Sequence, residues 1–255
     1  MKRQKIRKAI IFVFFLLFPI VLYYLSPALI IEGASKGIIT GSFIVFSLLF
    51  ISSLFVGRLY CGWICPGAGL QEACFRISDK RARGGKYNLI KYFIWVPWVS
   101  IIVFSVVQAG GFRSINPFFQ TKSGISVAEP ASYPIYYTVL GLITILSFTV
   151  GKRAFCHYGC WMAPFMVIGT KIKNLFKWPS LQLRADKNKC KNCHTCTKNC
   201  PMSLDVNGMV QKGSMKNPEC ILCGTCVDGC PESAIRYVFH VAPVSRNATI
   251  TCRFL

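Results

Sequence analysis

Two cysteine runs with the same spacing lie in the last third of the chain. They read Cys190-x2-Cys193-x2-Cys196-x3-Cys200-Pro201 and Cys220-x2-Cys223-x2-Cys226-x3-Cys230-Pro231. Cysteines at such short intervals let one loop wrap three corners of an iron–sulfur cube, and the fourth cysteine, followed by proline, reaches a second cube. The duplicated run therefore predicts a small domain that is organised around two [4Fe–4S] clusters.

The two runs also predict which cysteines hold each cluster. In two-cluster ferredoxins each cube takes three cysteines from one run and the fourth from the other. The first cluster is expected on Cys190, Cys193, Cys196 and Cys230, and the second on Cys220, Cys223, Cys226 and Cys200. Zinc is the alternative metal, although the third and fourth cysteines of each run do not match the usual zinc-ribbon layout. The stretch 204–218 between the runs, with Asn207-Gly208 as a turn signal, is predicted as a hairpin or loop.

Long uncharged segments fill the first two-thirds of the chain. Hydrophobic residues make up 53% of the sequence and charged residues 15%, which argues against an ordinary soluble domain. Four segments are expected to cross a membrane as helices, at about 9–31, 38–56, 88–109 and 133–150. Lys91 lies near one end of the third segment, where its side chain could extend to the interface. A cleaved signal peptide is the alternative for the first segment, but its apolar stretch is long and no A-x-A site follows.

The predicted fold is therefore a mainly α membrane protein with a small C-terminal α+β ferredoxin-like domain. Residues 1–178 form the membrane domain, which ends in an interfacial helix rich in lysine near residues 161–177. Residues 179–240 form the two-cluster domain, and residues 241–255 form a tail with no readable role. The boundary is placed near Trp178, where a Trp-Pro-Ser sequence predicts the end of a helix.

The distribution of basic residues predicts the orientation in the membrane. Lysine and arginine are concentrated in the N-terminal segment and in the loop between the second and third spans, whereas the other two loops carry few. The positive-inside rule then places both termini and the cysteine domain on the cytoplasmic side of the inner membrane. The same rule accounts for most of the net charge of +21. A nucleic-acid partner is not expected, whereas a basic surface for an acidic redox partner is possible.

A second duplication lies where the second and fourth spans end. Residues 57–66 read GRLYCGWICP and residues 151–160 read GKRAFCHYGC, so that an arginine precedes each cysteine pair by three residues. Each motif follows a pair of spans, which predicts two helical hairpins related by an axis along the membrane normal. Cysteines four residues apart share one face of a helix. Cys61, Cys65, Cys156 and Cys160 could thus form a further metal centre or redox-active dithiols, with buried structural cysteines as the alternative.

Two polar residues accompany this second duplication. Glu72 is expected to be a solvated acid at the interface, with proton transfer coupled to quinone chemistry as the alternative. His157 has a weaker claim as a metal ligand or as a hydrogen-bond donor to a quinone carbonyl.

Two CxxxC motifs after paired spans, followed by two cluster-binding runs, resemble the NapH-type ferredoxin-like polytopic membrane proteins. The resemblance covers nearly the whole chain, and it includes the proline that follows Cys65, whereas Trp161 follows Cys160. It implies a membrane-bound protein that passes electrons between the quinone pool, or a soluble donor, and a partner reductase. Membrane lipid, a redox partner protein and quinone are the implied partners.

Two other functions stay open at this stage. An assembly or regulatory factor would reduce metal ions or thiols during the maturation of a respiratory enzyme, and a redox-sensing anchor would bind clusters without turnover. The sequence contains no obvious substrate pocket, so that we expect an electron-transfer subunit rather than a self-sufficient enzyme.

Overall fold

A computed structural model describes residues 2–75, 77–176 and 179–240 of the chain. This part is mostly helical and contains two small two-stranded sheets. In chain order the elements are α1 (Lys2–Leu16), α2 (Phe18–Val21), α3 (Pro27–Ser35), β1 (Ile38–Thr40), α4 (Gly41–Val56), α5 (Leu59–Trp63), α6 (Pro66–Cys74), α7 (Ile90–Gln108), β2 (Ser114–Asn116), α8 (Tyr133–Thr149), α9 (Ala154–Tyr158), α10 (Ala163–Leu175), β3 (Ser180–Ala185), α11 (Thr195–Lys198), α12 (Val206–Gln211), α13 (Thr225–Asp228) and β4 (Ile235–His240).

The first apolar segment is not a continuous helix, in contrast to the span expected at 9–31. The helix ends after α1 and resumes as the short α2 and then as α3, because Pro19 and Pro27, which lie in the first turns of α2 and α3, lack the N–H that a helix interior requires. The carbonyl oxygens of Pro19 and Ile20 accept hydrogen bonds from the backbone N–H groups of Val127 and Ser126, at 3.0 and 3.2 Å. The loop before α8 therefore fills the break in the first segment.

Two helical segments, at residues 85–108 and 130–149, are long and apolar enough to cross a membrane. α4 is equally apolar but has sixteen residues. The outer surfaces of α7 and α8 carry large apolar side chains such as Phe93, Val107 and Ile145, which are 78%, 71% and 61% exposed. Water disfavours such surfaces and lipid favours them.

The two cysteine motifs lie in equivalent places of a repeated three-helix unit. In the first unit α4 is followed by the single turn α5 and by α6, and in the second α8 is followed by α9 and α10. The last helix of each unit packs on the first helix of the other, α6 on α8 and α10 on α4. At Gly169 a Cβ would lie 1.8 Å from the Ser53 hydroxyl oxygen, so glycine permits the close approach of α10 to α4. This exchange brings the two motifs into contact with each other.

Other helix contacts differ from the expected hairpins. α7 packs chiefly on α3, and α8 packs chiefly on α6. The main contact of each helix is therefore not with the other member of the expected α7–α8 hairpin. The lysine-rich segment near residues 161–177 forms α10, whose Met166 and Val167 are buried. α10 therefore belongs to the helical core, because its apolar face is covered by α4.

The loops segregate to two ends of the molecule. At one end Gly37 accepts a 2.8 Å hydrogen bond from the Arg113 backbone N–H, and β1 pairs in parallel with β2. At the other end the first turn of α1 contacts the cysteine domain, where Arg3 pairs with Asp228 and the Gln4 side chain donates to the Cys223 carbonyl at 3.0 Å. The N-terminus, the two cysteine motifs and the cysteine domain thus share one end.

The cysteine domain begins with β3, which pairs antiparallel with β4 from Ser180 opposite His240 to Ala185 opposite Ile235. The hairpin or loop expected between the cysteine runs is instead the helix α12, so that prediction is wrong. Asp205 caps this helix by accepting a 3.0 Å hydrogen bond from the Gly208 N–H, which turns the Asn207-Gly208 pair into a helix start. The predicted boundary at Trp178 and the tail 241–255 lie outside the described residues.

Candidate metal centres

Each predicted set of cluster ligands lines its own cavity. Cys190, Cys193, Cys196 and Cys230 line one cavity, and Cys200, Cys220, Cys223 and Cys226 line another. The backbone repeats between the two runs, with left-handed φ values of 59° and 57° at Asn192 and His194, and of 49° and 76° at Leu222 and Gly224. The fourth cysteine of each run reaches the cavity of the other, as crossed ligation requires.

The cysteines around these two cavities do not converge on a single point in the part of the chain that the structure describes. Among the described residues, no three histidine, cysteine or carboxylate side chains converge as a site for one metal ion would require. A zinc ion holds each sulfur at about 2.3 Å, whereas a cube binds each thiolate at a different corner. Burial raises the pKa of Cys200 to about 11 and that of Cys220 to about 12, so that metal binding has to displace their protons.

The two cavities differ in their access to solvent. Cys193 is exposed in the first, and Lys187, Lys189, Lys191 and Lys198 are exposed around it. In the second, Cys223 and Cys226 are buried, and their loop faces the helices. The first cavity is therefore the one that a soluble protein can approach.

The structure brings the four cysteines of the repeated motifs together. All four are buried, and Cys65 interacts electrostatically with Cys61, Cys156 and Cys160. Each second cysteine donates its backbone N–H back to the single-turn helix, Cys65 to Tyr60 at 3.0 Å and Cys160 to Phe155 at 2.9 Å. The two loops therefore have the same local conformation.

Side chains from one repeat hold the loop of the other. The Arg153 Nη1 atom donates to the Cys61 carbonyl at 2.7 Å. Gln71 accepts a 3.2 Å hydrogen bond from the Phe155 N–H, and its Nε2 atom donates to the Cys156 sulfur at 3.3 Å. These contacts explain why two pairs that are 95 residues apart in the sequence meet in one place.

A large cavity opens onto these cysteines from the side of the helices. Its volume is about 460 Å³, and Cys65, Cys156 and Cys160 are among the residues that line it. Most of its wall is apolar, from side chains such as Leu22, Val139 and Ile143. The polar lining groups are few, namely Tyr23, Ser26, Glu32, Gln71 and Gln120. A mainly apolar cavity with a few polar groups is typical of a site for a small apolar ligand.

Two buried charge triads flank the four cysteines, and both correct expectations from the sequence. Glu72 is not a solvated acid, because it is buried between Arg153 and Arg7, whose Nη2 atom lies 2.8 Å from its Oε2 atom. Burial opposes ionisation of Glu72, but the two guanidinium groups outweigh it and hold the pKa of that carboxyl below its usual value.

The second triad is centred on Glu219, the residue before Cys220. Glu219 pairs with Arg58 and with Lys91, whose Nζ atom lies 2.6 Å from the Glu219 Oε1 atom. Lys91 therefore does not extend to the interface, since the ferredoxin-like domain supplies a carboxylate for it. The sequence analysis did not identify Glu219. Acidic residues number only nine in this chain, so each one is a candidate partner for a buried cation.

Several buried polar atoms near the cysteines have no hydrogen-bond partner among the described residues. They are Nε and Nη2 of Arg58, Nε of Arg153 and Nε2 of His157. The other ring nitrogen of His157, Nδ1, lies 2.7 Å from the Asn88 side-chain oxygen, and burial lowers the pKa of His157 to about 4. His157 is therefore neutral, whereas both arginines are charged.

The first motif lies directly against the loop of the second cysteine run. A Cβ at Gly62 would lie 2.3 Å from the Ile221 carbonyl oxygen, so the two backbones touch. The indole N–H of Trp63 donates to the Leu222 carbonyl at 3.1 Å. The Cys61–Cys65 motif and the loop of the second cluster cavity are thus neighbours in space, although they are far apart in the sequence.

Comparison with known proteins matches both duplications. A family described as "4Fe-4S binding domain" matches residues 38–84 and again 134–179, and one described as "4Fe-4S dicluster domain" matches residues 189–235. The ferredoxin-type protein NapH of Haemophilus influenzae is 23% identical over 71% of this chain and 62% of its own length. This chain belongs to the NapH-type ferredoxin-like family.

Other relatives of this NapH-type protein place it in the same group. The putative electron transport protein YccM of Escherichia coli is 24% identical over 79% of this chain and 57% of its own length. The protein NirI of Paracoccus denitrificans is 28% identical over 72% of this chain, which spans only 26% of NirI. No solved structure matches the chain significantly.

Proposed function

We propose that this NapH-type protein is a membrane-bound electron-transfer protein that links a quinone site, or a soluble donor, to a partner reductase. Two [4Fe–4S] clusters would serve as one-electron carriers, one on Cys190, Cys193, Cys196 and Cys230, the other on Cys200, Cys220, Cys223 and Cys226. The observation that carries the proposal is the backbone contact between Gly62 and Ile221, which joins the membrane-face cysteines to the loop of the second cavity.

The contacts around these residues support a route for electrons between the helices and the cysteine domain. The large apolar cavity lies on one side of Cys65, Cys156 and Cys160. The loop of Ile221 contacts Gly62 of the first motif, and the cavity lined by the exposed Cys193 belongs to the same cysteine domain as that loop. The lysines around Cys193 would attract a partner with an acidic surface. Quinone in the apolar cavity and a soluble redox protein at Cys193 are therefore the proposed ends of the route.

We further propose that the chain crosses the inner membrane four times with both termini in the cytoplasm. The broken first segment would cross in two pieces, since its backbone groups are satisfied by protein within the break. The clustering of the N-terminus and the cysteine domain at one end supports this orientation, because the positive-inside rule places both in the cytoplasm. A reporter fused after Ser123 should be read on the outer side of the membrane, and a cytoplasmic reading would contradict this topology.

Proteoliposomes that contain the full chain test the electron-transfer function. Quinol should reduce the clusters under anaerobic conditions, as followed by their visible absorption and electron paramagnetic resonance. Val139→Trp introduces a large side chain into the cavity and should slow this reduction at least tenfold, with dithionite reduction unchanged. Val103→Trp is the matched control, because Val103 on α7 is 57% exposed and lies outside the cavity lining. Equal rates in both variants would contradict a quinone site in this cavity.

A second function is favoured by the names of some relatives. The regulatory protein NosR of Pseudomonas aeruginosa is 25% identical over 72% of this chain, which spans 25% of NosR. By analogy, the chain could reduce metal ions or thiols during maturation of a respiratory enzyme. A lack of quinol-dependent reduction, together with impaired maturation of a copper or haem enzyme in a deletion strain, would favour this function over the first.

A further inference from the structure

The large apolar cavity follows α8 from the cysteine motifs toward the β1–β2 end of the molecule. One lining residue, Ile143, lies against Gly67 at the start of α6, where a Cβ would be 3.4 Å from its Cδ1 atom. Another lining residue, Ile135, lies near the beginning of α8. Ile143 follows Ile135 by eight residues, which corresponds to about 12 Å along a helix. The cavity is therefore long enough to have two distinct ends.

A carboxylate lies at the β1–β2 end of the cavity. Glu32 on α3, the helix that leads into β1, lines the cavity, and its Oε1 atom accepts hydrogen bonds from Lys36 at 2.7 Å and from Gln120 at 2.9 Å. The side chains of Glu32 and Lys36 are 36% and 51% exposed. The Lys36 hydrogen bond, to which Gln120 adds, outweighs burial and lowers the pKa of Glu32 below its usual value. Glu32 is therefore an ionised carboxylate that lines the cavity and is open to solvent, and among the described residues no other carboxylate lines this cavity.

The cysteine end of the cavity has no comparable path for a proton. Gln71, which lines this end, is fully buried, and the hydrogen bonds of its side-chain amide are all made within the protein. The next residue, Glu72, is held between the buried guanidinium groups of Arg7 and Arg153. Buried cations of this kind form an electrostatic barrier to protons. A proton that leaves the cavity therefore reaches solvent at Glu32 rather than past Gln71.

We propose that Glu32 accepts the protons of a quinol in this cavity and releases them at the β1–β2 end, while the electrons leave through the cysteine domain. The inference rests on the proposed electron-transfer function. Oxidation of a quinol breaks its two O–H bonds and yields the quinone, two protons and two electrons. The electrons pass one at a time to the iron–sulfur clusters and on to the oxidised redox partner. Each proton passes in turn to the Glu32 carboxylate, which acts as a general base, and then to water.

This arrangement separates charge across the membrane. In the proposed topology the cysteine domain faces the cytoplasm and the β1–β2 end faces the outer side. Electrons then move inward from the cavity, whereas protons move outward. Quinol oxidation by this chain therefore builds a membrane potential that is positive outside, a function beyond electron transfer itself.

Proteoliposomes that contain the full chain, with the pH indicator pyranine trapped in the lumen, test the proposal. Oxidised plastocyanin, an acidic one-electron acceptor that cannot cross the bilayer, is added outside. It draws electrons only from molecules whose cysteine domain faces outward, so that a mixed orientation does not matter. Quinol in the bilayer should then release as many protons into the lumen as there are plastocyanin molecules reduced outside. Valinomycin and potassium dissipate the potential during the measurement.

Variants of Glu32 identify the proton acceptor. Glu32→Gln should slow quinol-dependent reduction of plastocyanin by about tenfold or more, with dithionite reduction of the clusters unchanged. Glu32→Asp keeps the carboxylate and should restore part of the rate. Glu129→Gln is the matched control, because Glu129 is 62% exposed, pairs with Lys122 and lies outside the cavity lining. It should keep the rate of the wild type.

Two outcomes would overturn the inference. One is proton release on the side of the cysteine domain with an unchanged lumen, and the other is an equal rate in Glu32→Gln and Glu129→Gln. The lumen measurement on the wild type remains decisive if Glu32→Gln does not fold. Electron transfer without lumen acidification would contradict this inference alone, whereas a failure of quinol to reduce both the clusters and plastocyanin would contradict the proposed function itself.

Discussion

Glu219→Gln should destabilise the protein strongly, because Glu219 alone compensates two buried cations in its triad. Its side chain is 11% exposed, and those of Arg58 and Lys91 are 0% exposed. Glutamine keeps the size of the side chain but removes its charge, which leaves both cations buried and uncompensated. Removal of one partner from a buried ion pair costs about 3–5 kcal/mol.

This cost can be converted into a shift of the thermal unfolding midpoint. For a chain of this size 1 kcal/mol corresponds to about 2–4 °C, so that the midpoint should fall by roughly 6–20 °C. The assay is thermal unfolding of the detergent-solubilised protein, followed by circular dichroism. Because a multidomain cofactor protein need not unfold in two states, the comparison between variants carries the argument rather than any absolute free energy.

Two further variants control this experiment. Glu129→Gln breaks the pair with Lys122, whose side chains are 62% and 72% exposed, and should cost less than about 1 kcal/mol. Lys91→Met in the Glu219→Gln background removes one of the stranded cations and should recover part of the loss. The reasoning is refuted if Glu219→Gln lowers the midpoint no more than Glu129→Gln does.

Three other predictions follow from the packing, the charges and the clusters. Gly169→Ala should lower the stability of the fold by about 1–3 kcal/mol through overpacking, because its Cβ would lie 1.8 Å from the Ser53 hydroxyl oxygen. Gly141→Ala is the control and should be neutral, because there is open space around Gly141. The thermal unfolding midpoints of the two variants are compared, and equal midpoints would contradict the close contact. The pKa of Glu72 is lowered in the folded state, so the stabilisation that its carboxylate contributes is complete above about pH 4.5 and is lost as the pH falls through the lowered pKa. A plot of the thermal midpoint against pH between pH 3 and 6 should therefore be flatter for Glu72→Gln than for the wild type. Parallel plots would count against the triad. Oxidative removal of the clusters should increase hydrogen exchange in β3 and β4 while α4 and α8 stay protected, whereas unchanged exchange in the strands would argue against coupled folding and cluster binding.

Spacing in the sequence was sufficient to predict which cysteines of the two runs lie together, whereas their role as cluster ligands stays a prediction. Because three cysteines of each run are neighbours along the chain, a local loop sets their positions, and the structure places both predicted sets around separate cavities. The repeated arginine three residues before each cysteine pair likewise pointed to Arg58 and Arg153, although not to their partners. Family membership followed from the same local patterns.

Charged residues were the main source of error. Glu72 and Lys91 were expected at the interface, since a charge in an apolar segment normally seeks water. Their true environment depends on Arg7, Arg153 and Glu219, which are up to 128 residues away in the sequence. A single sequence contains no signal for such pairs, because each partner on its own resembles a solvated side chain.

The sequence by itself determined the local chemistry of this protein: cysteine runs suited to cubes, apolar segments suited to lipid, and a duplicated motif that follows two apolar segments. Only the tertiary structure decided that α6 and α10 exchange between the repeats, that the first segment breaks at its prolines, and that two charge triads flank the four cysteines of the duplicated motif. The reason is physical. Short-range spacing sets what one loop can bind, whereas helix packing sets which loops meet and which buried charges must be balanced.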